Sequence, residues 1–459
     1  MIKKKRWRPL AAAFVALAGS LGTTAIAVPS ASASSVVHLT YTLWDPHEEV
    51  GYKQSIAVFE KSHPNIQVTV NQIAYPAYQT KLQEEFASGS GPDLFWVNTP
   101  WLSTWIKDGY LLALNKYIKQ WGINMSMYYP SLVSLHSYKG NIYGLPKDWD
   151  TIAFYVNETY MAKHHLAVPA NWTWNPTNGG SFLQFLEKAT TDSNGVNASS
   201  PKFNPNSVAT YGVDIGNTAQ VGFQNFWQMN GCHVIPAAWA SQVSFKTPAC
   251  AQATEFINQL MYKYHVAVPG NELGPNATIN SNQDQELFAS GKIAMLMAGD
   301  WYTNPIAELV GKKFKIGVVE LPIGPAGRWS VFNGLIDGVN PRSPHLAQAL
   351  ELERWLGSPA SQKILGSGGY IWPAIKSLDP LFVAYWKAHG INVEPFLKEA
   401  QGGAKLVNWP NTPGMNQGLT DMATTMGPIW LGAESLSSIK SILARSYALA
   451  NHDLQAAGG

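Results

Sequence analysis

Between Val36 and Ile106 the chain alternates extended and helical signals three times, and this alternation limits the fold more than any other feature. "VVHLTYTLW" (Val36–Trp44) alternates like a strand. Asp45-Pro46 then supplies an N-cap and a proline at the first helical position. Glu48 and Glu49 fall in the first turn, where the helix dipole favours negative charge. The helix is predicted to run to about Ser62, before Pro64. "IQVTVNQI" (Ile66–Ile73) reads as a second strand, and a helix follows Pro76 and stops at the turn "SGSG" (Ser88–Gly91). Asp93–Val97 reads as a third strand, with Pro100 opening a third helix. Strands separated by helices imply a parallel sheet covered on both faces. Ligands of open sheets of that kind sit beyond the carboxyl ends of the strands. Trp44-Asp45 and Asn98-Thr99 occupy two such ends.

A chain of 459 residues exceeds one typical core, so two large domains are expected. Charged residues make up 14% against a usual ~25%, and no low-complexity tract interrupts the pattern, which excludes a disordered or repeat architecture. Residues 1–33 read as an export signal: Lys3, Lys4, Lys5, Arg6 and Arg8 precede an apolar run, and Ala31-Ser32-Ala33 fits a small-residue cleavage site. An uncleaved anchor is the competing reading; Gly, Thr, Ser and Pro29 dilute the run before it reaches the ~20 residues of a span. The leader holds five of the 32 Lys+Arg and none of the 30 Asp+Glu, so the remainder carries 27 against 30, a net charge of −3. No basic surface for nucleic acid is expected. Export permits a bridge between Cys232 and Cys250, the expected state; two buried thiols are the alternative. Neither cysteine lies near the cleavage site, so no lipid-anchor cysteine is available and the protein is expected free in a periplasm or secreted.

Further along, "FLQFLEKA" reads as a short helix between loop-rich stretches, Ile279–Leu309 as helix, strand, turn and helix, and "FKIGVVELP" (Phe314–Pro322) as a strand. Pro344–Leu356 is an amphipathic helix, and the last long helix is predicted to begin after Trp430. The order "LTYTLWD", "FEKSHPNIQVTV", "YQTKLQEEFASGSGPDLFWVN", "GNIYGLPKDWDTIAFYVNETYM" and "ELFASGKIAMLMAGDW" resembles the extracellular solute-binding proteins of family 1, the sugar-capturing subunits of ABC importers. The resemblance spans nearly the whole chain after the leader. It implies an α/β, two-lobed clamshell, each lobe a mainly parallel sheet flanked by helices. The chain is expected to cross between lobes near Asp150 and again near Met297. Lobe one is then 36–150 plus 298–343, and lobe two 151–297 plus 344–459. The implied partners are a carbohydrate and the membrane permease; no cofactor or metal is expected, and the protein is expected to be a monomer.

A pyranose has apolar C–H faces and a rim of hydroxyls, so its site needs Trp or Tyr beside Asp, Glu, Asn or Gln. Buried hydroxyls left unpaired would cost about 1–3 kcal/mol each. Four stretches show that mixture. Asp45 stands in the first, with Trp44, His47 and Glu48 around it; helix capping is its other reading. Asn98 and Trp101 stand in the second, where Trp96 and Trp105 read as packing. The third is "PKDWDT" (Pro146–Thr151), where Asp150 matches the family's acidic contact position. The fourth is "MAGDWYTNP", in which Gly299 lets the backbone approach, Asp300 accepts hydroxyls and Trp301 stacks. Trp227, Asn333, Gly334 and Trp372 are further ligand candidates, with core or backbone support as their alternative.

Paired carboxylates also serve glycosidases. The chain lacks eight evenly spaced strand–helix units, and Ser437-x-x-Lys440 stands without the partners of a penicillin-recognising site. No catalytic residue is expected. A polyol or glycerophosphodiester receptor of the same architecture is the remaining alternative. The absence of an Arg or Lys cluster argues against phosphates.

Overall fold

The computed structural model describes residues 36–215, 218–273 and 283–458. The expected leader, 1–33, lies outside the described residues. Strands of four or more residues and helices of eight or more follow in chain order: β1 (Val37–Leu43), α1 (Pro46–Ser62), β2 (Ile66–Gln72), α2 (Tyr75–Ser88), β3 (Leu94–Val97), α3 (Thr99–Lys107), β4 (Ile152–Asn157), α4 (Gly180–Ala189) and α5 (Pro248–Tyr262). They continue with β5 (Met295–Gly299), α6 (Thr303–Val310), β6 (Ile316–Val319), β7 (Trp329–Phe332), β8 (Ile336–Val339), α7 (Leu346–Leu356), α8 (Pro359–Ser367), α9 (Asp379–Ala388), β9 (Lys405–Asn408), α10 (Met415–Trp430) and α11 (Ile439–Ala456).

The protein is a two-lobed α/β structure. The first sheet has the order β8-β3-β1-β2, with β1 parallel to β2 and β3, and β8 antiparallel to β3. All four residues of β3 are buried, as a short continuous apolar strand inside a sheet should be. The second sheet has the order β6-β4-β5, its three strands antiparallel to their neighbours. Parallel pairing enters beyond β5, through the bridges Asp214–Leu296 and Val213–Ala267. Each sheet carries its own apolar core. Leu39, Trp96 and Leu145 share one with Leu352 and Leu365, and Phe154, Trp172 and Phe226 share another with Met422 and Leu443.

The backbone passes between the lobes at three adjacent places. The Asp150 N–H donates to Asn333 O at 2.9 Å, the Lys147 N–H to Leu335 O at 3.0 Å and the Trp149 N–H to Trp372 O at 3.2 Å. Residues 146–150, 333–336 and 372–374 thus lie side by side as a hinge ribbon. Gly334 is required there because a Cβ would stand 2.5 Å from Asp148 O. The segment around Asp150, read from the sequence as the first crossing, forms one strand of this ribbon. The return near Met297 is corrected: Met297 lies inside β5, paired with Phe154 of β4 and fully enclosed. A strand hydrogen-bonded within one sheet cannot leave it, so the chain returns only after β7.

The lobe boundaries shift accordingly. β6, expected in lobe one, pairs with β4 of the second sheet, and α7 and α8, expected in lobe two, pack their Leu352 and Leu365 into the first core. The last long helix, α11, begins after Trp430 as predicted, and a further helix, α10, precedes it. α10 is a full helix despite Gly418, Gly427 and Pro428 within it, because its buried face, including Met415, Met422, Met426 and Ile429, seats it on the second core. Cys232 and Cys250 are joined in a disulfide with an S–S distance of 2.09 Å. No helix among the described residues is long and apolar enough to cross a membrane.

Candidate functional site

A cleft of about 340 Å³ lies between the lobes beside the hinge ribbon. That size falls in the range of small-ligand sites, ~300–1,000 Å³. The exits of β1, β2 and β3 supply its first wall, and the exit of β5 its second.

At the β1 exit, the Asp45 carboxylate caps α1: its Oδ1 accepts the backbone N–H groups of His47 at 2.8 Å and Glu48 at 3.0 Å. Asp45 thus caps its helix and also lines the cleft. Trp44 lines it too, held edge-on by Trp96, Tyr78, Tyr75 and Trp101 with ring centroids 4.8–5.5 Å apart. Packing decides which indole at these turns faces the cleft. Trp44 is half-buried and faces the cleft, whereas Trp101 is 3% exposed and stands behind it. The Trp101 indole N–H donates to Asn416 Oδ1 at 3.0 Å, tying α3 to α10 of the other lobe. Trp101 is therefore corrected from a cleft residue to a packing and bridging one.

Asn98 and Asn333 line the cleft and bond to each other, Asn333 Nδ2 donating to Asn98 Oδ1 at 3.3 Å. Asn98 Nδ2 also donates to the Tyr75 hydroxyl at 3.0 Å, and Asn333 Oδ1 accepts from Thr99 Oγ1 at 2.7 Å. Their polar atoms mainly fix the β3 exit to the hinge. Gly334 sits behind the wall, in the close approach already described.

On the second side, β5 ends at Gly299 and a single 3-10 turn holds Asp300, Trp301 and Tyr302, all three lining the cleft. Gly299 does not touch the cleft; a Cβ there would lie 1.8 Å from the Trp301 ring, so the glycine makes room for the indole to lie back on the strand. Asp150 and Asp300 are both buried cleft residues. Asp150 Oδ1 accepts from Gln220 Nε2 at 3.3 Å, and Asp300 Oδ2 accepts the Thr151 N–H at 3.3 Å. Burial pushes both carboxyls well above the usual carboxylate range, and the charges of Asp148 on Asp150 and of Asp150 on Asp300 push them further.

The hinge wall is aromatic. Trp149 and Trp372 line the cleft with ring centroids 4.5 Å apart, and both indole N–H groups donate to Asp379 Oδ1, at 3.2 and 3.1 Å. Burial raises the Asp379 carboxyl to about 6. Trp227 lies elsewhere. It is fully buried in the second lobe, donating to Thr254 Oγ1 at 2.9 Å, and is corrected from a ligand candidate to a core residue.

Sequence reasoning missed several lining groups, among them Gln72, Tyr75, Gln220, Tyr302, Tyr370 and Phe382. Tyr75 had a usable signal: it follows β2 as Asp45 follows β1 and Asn98 follows β3. Tyr370 and Phe382 reach the cleft through the third crossing, which carries no such signal. Contacts that link the lobes include His47 Nδ1 at 3.5 Å from Glu308 Oε2, Asn304 Nδ2 donating to Gly369 O at 2.7 Å, and Trp101 meeting Asn416 as above. No cluster of metal-ligating side chains occurs among the described residues.

The chain belongs to the bacterial extracellular solute-binding proteins, whose profile matches residues 54–392. It is 23% identical over 396 residues to the galactooligosaccharide-binding protein of Bacillus subtilis, covering 84% of each chain. UspC of M. tuberculosis is similar in structure, with a TM-score of 0.71 and 26% identity, over 91% of this chain and 100% of that one. An ABC substrate-binding protein of Listeria monocytogenes, solved in complex with cycloalternan, has a TM-score of 0.77 at 20% identity over 92% of this chain and 100% of its own. The last likeness speaks to the fold alone.

Proposed function

We propose that the protein is the extracytoplasmic receptor of an ABC importer and that it captures a carbohydrate, an oligosaccharide in particular, between its lobes for delivery to a membrane permease. The observation that carries this reading is the composition of the cleft: Trp44, Trp149, Trp301 and Trp372 stand beside Asp45, Asp150, Gln220 and Asp300. Indole faces cover the C–H faces of a sugar ring, and carboxylates and amides accept and donate to its rim. The Bacillus relative is a galactooligosaccharide-binding protein, which supports an oligosaccharide here. Membership of an extracellular family supports a working place outside the cytoplasm. The hinge ribbon lets the lobes close on the ligand, and the closed form is the one the permease receives.

Asp150 and Asp300 act in this reading as hydroxyl acceptors, not as acid and base. Titration with a panel of oligosaccharides tests it, followed by tryptophan fluorescence for binding and small-angle scattering for closure. Saturable binding with a reduced radius of gyration and unchanged sugar is expected. Shortened sugar products that disappear with Asp150→Asn or Asp300→Asn would replace it with a glycosidase.

A further inference from the structure

We propose that the cleft is built for a carbohydrate carrying a protonated amine, an amino sugar or an oligosaccharide containing one. The inference rests on the carbohydrate reading above and narrows it to a charge class.

Its basis is the balance of charge around the cleft. Asp45, Glu48, Asp148, Asp150 and Asp300 all line it, and no Lys or Arg does among the described residues. The segments 216–217 and 274–282, adjacent in sequence to the lining residues Thr218 and Gln285, contain no Lys or Arg either. One cation, Lys147, lies beneath the wall at 1% exposure. Its ammonium donates to Asp148 Oδ2 at 2.5 Å and Glu48 Oε2 at 3.4 Å, and stands 3.8 Å over the Trp96 ring. Lys147 therefore answers Glu48 and Asp148. His47, the remaining basic group of the cleft, faces Glu308 at 3.5 Å.

Neither Asp150 nor Asp300 has an ion-paired cation among the described residues, although the Lys147 charge also acts on Asp150. Gln220 Nε2 reaches Asp150 and the Thr151 N–H reaches Asp300, each contact long at 3.3 Å, and the Asn333 N–H also acts on the Asp150 carboxyl. A ligand bearing only hydroxyls gives these two carboxyls no ionic partner, and burial then keeps at least one of them protonated. An ammonium gives both an ionic partner and makes charge-assisted hydrogen bonds, the stronger kind. The indoles of Trp44 and Trp301 also attract a cation through their ring faces. An anionic sugar would meet repulsion from both walls.

Isothermal titration of the full chain at about pH 6.5, where an ordinary amine is protonated, tests the assignment with matched pairs. The probes are glucosamine against glucose, galactosamine against galactose, mannosamine against mannose, and the β-1,4-linked glucosamine trimer against cellotriose. In every pair that binds, the amine is expected to bind at least about tenfold tighter, or ~1.4 kcal/mol. Asp150→Asn and Asp300→Asn should each bring that ratio towards one. Neutral sugars binding as tightly as their amines would overturn the charge assignment and leave the carbohydrate reading standing, and the wild-type ratios decide this even where a variant folds poorly. A ratio indifferent to both substitutions also overturns it. No binding by any pair removes both the assignment and the reading beneath it.

Discussion

Two groups of carboxylates lie side by side at this cleft and are equally buried, yet only one has a cation of its own. Asp148 is 7% exposed and belongs to the set around Lys147; Asp150 is 8% and Asp300 is 4% exposed, and neither has an ammonium partner. Burial works against the Lys147 charge, but Asp148, Glu48 and Asp337 outweigh it and hold its pKa above the usual lysine value. The first set is thus a closed structural unit. The second is a pair of acceptors whose partner comes from outside. Burial of a charged group does not mark a ligand site; a cleft position without an ion-paired partner is what sets Asp150 and Asp300 apart.

The sharpest way to break this comparison is to remove the cation. Lys147→Met leaves Glu48 and Asp148 buried against nothing, a change that costs about 3–5 kcal/mol in comparable pairs. Equilibrium urea unfolding should show a midpoint far below wild type, and an unchanged midpoint would mean that the set is not held by Lys147. Trp227→Ala gives a reference of similar size, about 3–5 kcal/mol for a deleted core aromatic, in a residue remote from the cleft. Ligand affinity measured below the melting range should be unaltered by it.

A middle-sized effect separates the walls from their supports. Trp301→Ala removes a ring whose burial against a sugar is worth ~1.5–3 kcal/mol, so affinity should fall about tenfold to a hundredfold with little change in stability. Gly299→Ala should reproduce part of that loss, because its Cβ would occupy the place of the Trp301 ring. Full affinity in Gly299→Ala would show that the indole does not need its seat on β5.

How much of this was legible in the sequence follows from where each residue stands. The first three strands and their helices carry alternation, caps and proline stops, and those local signals survive in the structure almost to the residue. Asp45, Asn98, Asp150 and Asp300 were legible because strand exits and the first crossing put side chains at the cleft. Trp101 and Trp44 stand at neighbouring exits with the same residue type, and only the cluster of Tyr75, Tyr78 and Trp96 decides which ring faces outward. The second and third crossings were not legible. Asn333–Ile336 and Trp372–Ala374 are set by pairing with Pro146–Asp150, a long-range register that no local pattern encodes. α10 was hidden by its glycines and proline, whose local penalty is overridden by the core beneath it.

The smallest effect concerns proton uptake and tests the comparison across the whole molecule. Asp379 and Glu399 are buried carboxyls with no ion-paired cation among the described residues, raised by burial to about 6 and about 8. A carboxyl with a raised folded-state pKa holds its proton in the folded state while the unfolded chain has released it. Its contribution to stability is full below the ordinary carboxylate value and is lost as pH rises through the folded value, by up to ~1.4 kcal/mol per pH unit for each group. Asp150 and Asp300 are raised by the same cause and add in the same direction. Asp192 runs the other way, because its carboxylate accepts backbone N–H groups from Asn204, Val196 and Asn194 at 2.9–3.0 Å and is pulled below its ordinary value. Its contribution is lost as pH falls. Thermal midpoints of the ligand-free protein should therefore peak in mildly acidic buffer and decline towards about pH 8. Asp300→Asn should flatten part of that decline and raise the neutral-pH stability by ~1 kcal/mol, since it deletes a charge that nothing inside the protein answers. A midpoint that instead drops steeply between neutral and mildly acidic pH would mean that these carboxyls are ionised and paired in the folded state, and the distinction between the two sets would be lost.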